Sequence, residues 1–431
     1  MERRLRSNAQ SNDNQSRARR HRPDYLILLC MGLLMMLGLV VMYAIGPQRA
    51  QVLNSAFGSD NYDSSYFFVK QLISLVMAIT VFFIVYMTPF SLIRKHAKKL
   101  LIIAIFACIL LTIGGFIGLG IVQCSLGACR WFDLGPLGSL QPAELLKLGL
   151  LLFVAVLLGS RYRTGDVDDR SMTLVPIGVL IIIAAVLVIF FQKDMGTGIS
   201  ILAIVATMLF VVGLDWKIGA MIIAAMLALG VMFILIAPHR LARIEAFVAG
   251  DQISTSDPET YHIAQAMIAI GSGGLFGLGI GDSVQATGYL PEAINDSVFA
   301  IMGETFGFVG LVIVISLFLT LLVRIIKVSD HLPDMTQRLV VAGVFGWMTA
   351  HVVLNIAAMT GVMPLTGITL PLLSFGGTSM VFVAAGLGLV FQLSQYTVSS
   401  NELATEGVGY ENSRNRRRVR RTRNAYSGRT S

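Results

Sequence analysis

Long apolar runs separated by short polar connections dominate this chain. Runs of about 17–25 predominantly apolar residues can cross a bilayer as helices. They fall at 25–45, 67–88, 100–121, 144–159, 172–191, 198–214, 218–237, 298–323, 339–358 and 379–395. Lipid offers backbone N–H and C=O groups no partner, so each run is expected to be helical. The pattern predicts an all-α polytopic membrane protein of about ten transmembrane helices. One long connection, Pro238–Ser297, breaks the rhythm. Its apolar stretch 262–270 wants burial and predicts a short re-entrant or interfacial helix. A glycine-dense segment, Gly271 to Gly281, and a Leu-Pro-Glu turn follow it.

Composition excludes a soluble domain. Of 431 residues 55% are hydrophobic and only 13% charged, with mean hydropathy +0.74, where soluble domains carry roughly a quarter charged residues. The net charge of +8 is concentrated in two tails. Residues 1–24 hold seven Arg and three acids (+4), and residues 397–431 eight Arg and three acids (+5). Both tails are polar and aperiodic, which predicts disordered cytoplasmic segments flanking a transmembrane domain at 25–396. The arginine run RNRRRVRR could serve nucleic acid, but its exit from a membrane helix favours an anionic membrane surface or topology enforcement, with no nucleic-acid partner.

Loop cations orient the chain. Arg94, Lys95, Lys98, Lys99, Arg161, Arg163, Arg170, Lys217, Arg324, Lys327 and Arg338 share a side with the tails. Arg49, Lys70, Arg130, Lys193, Arg240 and Arg243 fall opposite. An even helix count then places both termini in the cytoplasm and the 238–297 loop outside. The first run is too long for a signal-peptide core, so it is expected to remain as an uncleaved anchor in the cytoplasmic membrane.

Candidate chemistry gathers on the predicted outer face. Asp296 sits between the glycine loop and a membrane helix, where a carboxylate invites a functional reading. Asn295, Asp296 and Ser297 are equally good helix caps, and both readings stand on the residues alone. The glycines lack a preceding strand and so do not make a dinucleotide site; close packing or substrate contact explains them better. Lys147 follows Glu144 by three residues, so the two can neutralise each other on one helix face. Arg240 and Arg243 can snorkel to headgroups. Cys124 and Cys129 flank four residues on the outer side, where pairing and free thiols both stay open. No His or Cys spacing suggests a metal site.

Five segments in order resemble the SEDS family (shape, elongation, division, sporulation) of cell-wall polymerases. They are CRWFDLGPLGSLQPAELLKL at 129–148, QKDMGTG at 192–198, HRLARIEAF at 239–247, the run from Tyr261 to Gly310, and NIAAMTGVMPLTGITLPLLSFGGTS at 355–379. Departures are Ala143 for Ser, Lys193 for Pro, Asn295-Asp296-Ser297 for Thr-Asp-Phe, and Thr305 for the second Glu of a pair. The resemblance implies a peptidoglycan glycosyltransferase polymerising lipid II at the outer leaflet, with Asp296 as catalytic base. It implies substrate-binding roles for Arg130, Trp131, Glu144, Lys147, Arg240, Arg243, Glu304 and Ser374. It implies no resident cofactor beyond a divalent cation, Mg or Mn, on the pyrophosphate. The implied partners are a class B penicillin-binding transpeptidase, other division proteins and membrane lipids. Two extended tails resemble the division branch, hence the septum, more than the elongation branch. A precursor flippase is the competing class, since transporters also use broken helices and intramembrane charge.

Overall fold

The computed structural model describes residues 21–58, 61–125, 128–133, 135, 138–214 and 258–398. Both tails beyond these bounds, the predicted span 218–237, and Arg240 and Arg243 lie outside the described residues. Among the described residues nine helices are long and apolar enough to cross a membrane, each over a run the sequence marked.

The helices are α1 (Tyr25–Phe57), α2 (Tyr66–Met87), α3 (Phe90–Ile117) and α4 (Pro142–Thr164). Then come α5, whose α-helical centre Val175–Ala185 is flanked by π-helical turns Arg170–Leu174 and Val186–Phe191, and α6 (Met195–Val212). After the undescribed stretch follow α7 (Pro258–Ser272), α8 (Val298–Asp330), α9 (Met335–Met359) and α10 (Gly377–Leu393). Among the described residues the core is one large apolar cluster, with a small separate one of Ala185 and Ile189 against Met195. Its principal helix pairs are α2 with α10, α6 with α9, α3 with α4, and α8 with α7 and α9.

Several boundaries differ from the apolar runs. α3 begins ten residues before its predicted span, so Arg94, Lys95, Lys98 and Lys99 lie on its opening turns rather than in a loop. Hydropathy registers only the lipid-embedded part of a helix, whereas backbone hydrogen bonding carries it into the interface. α1 outlasts its predicted span by twelve residues for the same reason, with Pro47 inside it. The all-α polytopic expectation holds, with one small addition. Residues 122–140 form a three-stranded antiparallel sheet, β1 (Val122–Ser125), β2 (Ala128–Asp133) and β3 (Ser139–Leu140). A Cys124–Cys129 disulfide closes its first hairpin. Outside the hydrocarbon, strands can satisfy their backbone groups against each other and water, so helix is no longer obligatory.

The two ends of the described chain meet at one end of the bundle. His21 N–H donates to Gln395 O (2.9 Å), Asp24 N–H to Ser394 Oγ (2.9 Å) and Val398 N–H to His331 O (2.9 Å). Asp169, before α5, accepts from the Ser171 hydroxyl and from the Met172 and Ser171 N–H groups, which hold its carboxyl below the usual carboxylate range.

The predicted helix at 262–270 exists as part of α7, and the glycine loop after it explains a break in α8. Gly307 adopts φ 66°, ψ −166° inside that helix. Phe308 and Val309 lose the Glu304 and Thr305 carbonyls an unbroken helix would give them. Their N–H groups donate instead to Gly274 O (2.9 Å) and Leu275 O (3.1 Å). The vacated Glu304 and Thr305 carbonyls accept from Leu278 N–H (2.8 Å) and Gly279 N–H (3.1 Å). Loop and helix thus exchange partners and leave none of these groups unpaired. The approach demands glycine: a Cβ on Gly273 would lie 1.9 Å from Gly303 O, and one on Gly277 2.1 Å from Thr305 O.

Candidate active site

Asp296 closes a turn, residues 291–297, that leads into α8. Neighbouring elements fix this turn from three sides. The Asn355 side-chain amide on α9 donates to Asp296 O and to Ile368 O, both at 2.7 Å. Phe375 N–H donates to Ile294 O (2.8 Å), tying the 360–376 loop to the turn. On the third side His262 Nε2 of α7 lies 2.6 Å from Ser297 Oγ. The Ser297 hydroxyl donates its single proton to Pro291 O (2.8 Å), so His262 is the donor in their contact. Asp296 itself is half-buried. The helix cap position is Ser297, one residue later, and its side chain makes no capping bond. The Asp296 carboxylate lies beside the positive end of α8.

Glu144 and Lys147 form a buried ion pair at 2.9 Å on the first turns of α4. Lys147 is fully buried and also reaches His351 Nε2 (3.2 Å) and the face of Trp347 (4.7 Å to the ring centroid). The Trp347 indole N–H donates to the same His351 nitrogen (3.1 Å). Ammonium and indole N–H are both donors, so Nε2 is the acceptor and Nδ1–H donates to Thr369 O (3.3 Å). His351 and Asn355 stand one turn apart on α9, about 6 Å along its axis. That helix brings the ion pair within a turn of the residue holding Asp296.

The remaining candidates brace the surroundings. Arg130 on β2 donates to Gln192 O (3.0 Å) and Lys193 O (2.8 Å), beside half-buried Trp131. Both of these partners are neutral carbonyls. Lys193 adopts φ 53°. A proline, locked near −65°, could not, so the family's Pro-to-Lys departure has a backbone consequence. Asp194 caps α6 through Thr197 N–H (2.9 Å) and receives the Gln141 amide (3.0 Å). Glu304, 1% exposed, accepts from Ser283 Oγ (2.5 Å), Val284 N–H (2.9 Å) and Gln285 N–H (3.2 Å). Its carboxylate is given over to the 283–287 turn, away from Asp296. Ser374 is buried, and its hydroxyl accepts from Leu370 N–H (2.9 Å). Among the described residues no group of three His, Cys, Asp or Glu could hold a metal ion.

No role for His262, His351 or Asn355 followed from the sequence, although Asn355 opens the resembling segment 355–379. Each is a polar residue within an apolar helix, the signal that should have marked them.

The model of the family described as "Cell cycle protein", FtsW/RodA/SpoVE, matches residues 24–399. The chain belongs to the FtsW/RodA/SpoVE family. It is 31% identical over 380 residues to the stage V sporulation protein E of Bacillus subtilis, covering 87% of this chain and 98% of that protein. It is 32% identical over 374 residues to a probable peptidoglycan glycosyltransferase FtsW of Nitrosomonas europaea, covering 86% and 92%. Among solved structures it resembles a chain of a complex described as coordinating polymerization and crosslinking in peptidoglycan synthesis. That match has a TM-score of 0.69 and 25% identity, and covers 88% of this chain and 99% of that one. The rod shape determining protein RodA of Thermus thermophilus matches with a TM-score of 0.58 at 25% identity, covering 88% and 98%. Membership in the FtsW/RodA/SpoVE family fits the nine described spans and makes this a multi-pass membrane protein.

Proposed function

We propose that this chain is a peptidoglycan glycosyltransferase that joins lipid II units into glycan strands at the outer leaflet. The observation that carries the reading is the Asp296 turn: it presents a half-buried carboxylate, and its neighbouring backbone and Ser297 are braced by Asn355 on Asp296 O, by His262 on Ser297 and by the Phe375–Ile294 bond. Relatives named as peptidoglycan glycosyltransferases over most of both chains support it. Asp296 takes the proton of the acceptor sugar hydroxyl as that oxygen attacks the donor's anomeric carbon. The carbon–oxygen bond to the pyrophosphate breaks, and the lipid pyrophosphate leaves with the bonding electrons. A half-buried base on a braced turn suits this transfer.

Developing charge on the pyrophosphate calls for cations. Arg130 suits that role because its two carbonyl partners are neutral, and Arg240 and Arg243 remain candidates by resemblance. Lys147 is neutralised by Glu144, so we assign the pair to shaping the site rather than to binding pyrophosphate. A divalent cation, Mg or Mn, would arrive with the pyrophosphate as part of the substrate. Both ends of the described chain face the cytoplasm in this reading. Cross-linking of the new strands falls to a penicillin-binding transpeptidase partner, and the division septum is the proposed place of work.

The test is lipid II polymerisation by purified protein, with and without such a partner. Asp296→Ala and Asp296→Asn should insert and melt normally yet lose about 10²–10⁴ in rate. Near-normal polymerisation by either would overturn the assignment.

A further inference from the structure

Far from Asp296, where the two ends of the described chain meet, a groove of about 990 Å³ opens between the start of α1 and the end of α8. Arg324 and Lys327, which line it, follow the Asp296 turn by roughly 40–45 Å along α8, so the groove lies at the opposite end of the bundle. Its size is at the upper end of the roughly 300–1,000 Å³ usual for ligand pockets.

The groove is amphipathic in one direction. Leu29, Gly32 and Leu33 line its wall, and the two leucines are exposed at 55% and 43%. Gly32 leaves a furrow: a Cβ there would meet nothing within 4 Å. Arg22 and Lys327 stand at the mouth, both exposed. Arg324 also lines it but is neutralised by Asp24, at 2.6 Å. Among the described residues, Arg22 and Lys327 have no carboxylate at ion-pair distance. Two cations with no carboxylate partner among the described residues, over an apolar furrow, suit an amphiphile with an anionic head and a long alkyl tail.

We propose that this groove is a binding site for an anionic glycerophospholipid, its phosphate on Arg22 and Lys327 and an acyl chain in the furrow beside Gly32. The tails carry net charges of +4 and +5, which draw the same anionic lipid to this face.

Native mass spectrometry of the full chain tests the site. The protein is equilibrated with equal amounts of phosphatidylglycerol and phosphatidylcholine of the same acyl composition. Wild type should retain phosphatidylglycerol preferentially. Arg22→Gln and Lys327→Gln should each lower that preference about fivefold, though both basic tails stay intact. Gly32→Leu should fill the furrow and release the lipid with no fall in melting temperature. Equal retention of the two lipids by wild type would overturn the site, as would undiminished preference in the Arg22→Gln/Lys327→Gln double variant. A third arm adds a polyprenyl phosphate; if it displaces phosphatidylglycerol at equimolar amount, the groove serves a carrier lipid and the proposal fails.

Discussion

Replacing Gly307 by alanine reverses the sign that helix propensity alone would give. In a straight apolar helix the change gains about 1 kcal/mol, because alanine loses less backbone entropy than glycine. Here the backbone stands at φ 66°, ψ −166°, a region an L side chain enters at a cost of about 1–3 kcal/mol. The new Cβ would also lie 2.3 Å from Gly277 N and 2.6 Å from the carbonyl carbon and oxygen of Leu275. These are backbone atoms, so relief requires parting loop and helix. Parting severs the four exchanged hydrogen bonds of 2.8–3.1 Å, each worth about 1 kcal/mol net. The sum is a destabilisation of about 5 kcal/mol, or a fall in Tm on the order of 10 °C.

The protein carries its own reporters. Cys30 and Cys108 are free and buried at 3% and 0% exposure, so a fluorogenic maleimide labels them only as the detergent-solubilised chain unfolds. Gly178→Ala on α5, where a Cβ meets nothing within 4 Å, is the control and should melt like wild type. A Gly307→Ala protein that melts at or above the wild-type temperature would refute the interlock.

Three further outcomes are expected. Lys147→Met leaves Glu144 buried without its partner and should cost roughly 3–5 kcal/mol; the Glu144→Gln/Lys147→Met double variant should regain most of it, whereas additive losses in melting experiments would contradict the ion-pair role. Ser297→Ala removes the hydroxyl between His262 and Pro291 O, and should slow polymerisation roughly 10-fold through misplacement of Asp296 while Tm barely moves; an unchanged rate would free the turn from α7. For topology, Asp282→Cys is the outer probe, since Asp282 is exposed. An impermeant thiol reagent on intact cells should label Asp282→Cys and spare Ser413→Cys, and the opposite pattern would invert the orientation.

Much of the candidate site was legible because its chemistry sits in contiguous words. Glu144 and Lys147 are three apart on one helix, so their pairing followed from helical geometry. Asp296 stood out as a carboxylate between a glycine loop and a membrane helix. The cysteines were legible as candidates only: spacing placed them near each other, and the hairpin brought them into a bond. Illegible were contacts between segments distant in sequence, such as Asn355 with Asp296 O, His351 with Lys147, and Arg130 with Gln192 O. No local pattern carries that information.

The sequence by itself determined that this chain crosses a membrane many times, and where. Lipid makes helix the only solution for an isolated apolar run, so hydropathy is enough. Only the tertiary structure decided why the glycines are there. In sequence they suited either packing or substrate; in the fold they let a loop approach a broken helix until their backbones exchange hydrogen bonds. It also decided which donors Glu304 meets. The resemblance implied substrate binding for this acid, and in the fold its carboxylate accepts from Ser283, Val284 and Gln285. A buried carboxylate must find donors, and which donors reach it depends on how the glycine loop folds back, a long-range contact beyond any local pattern.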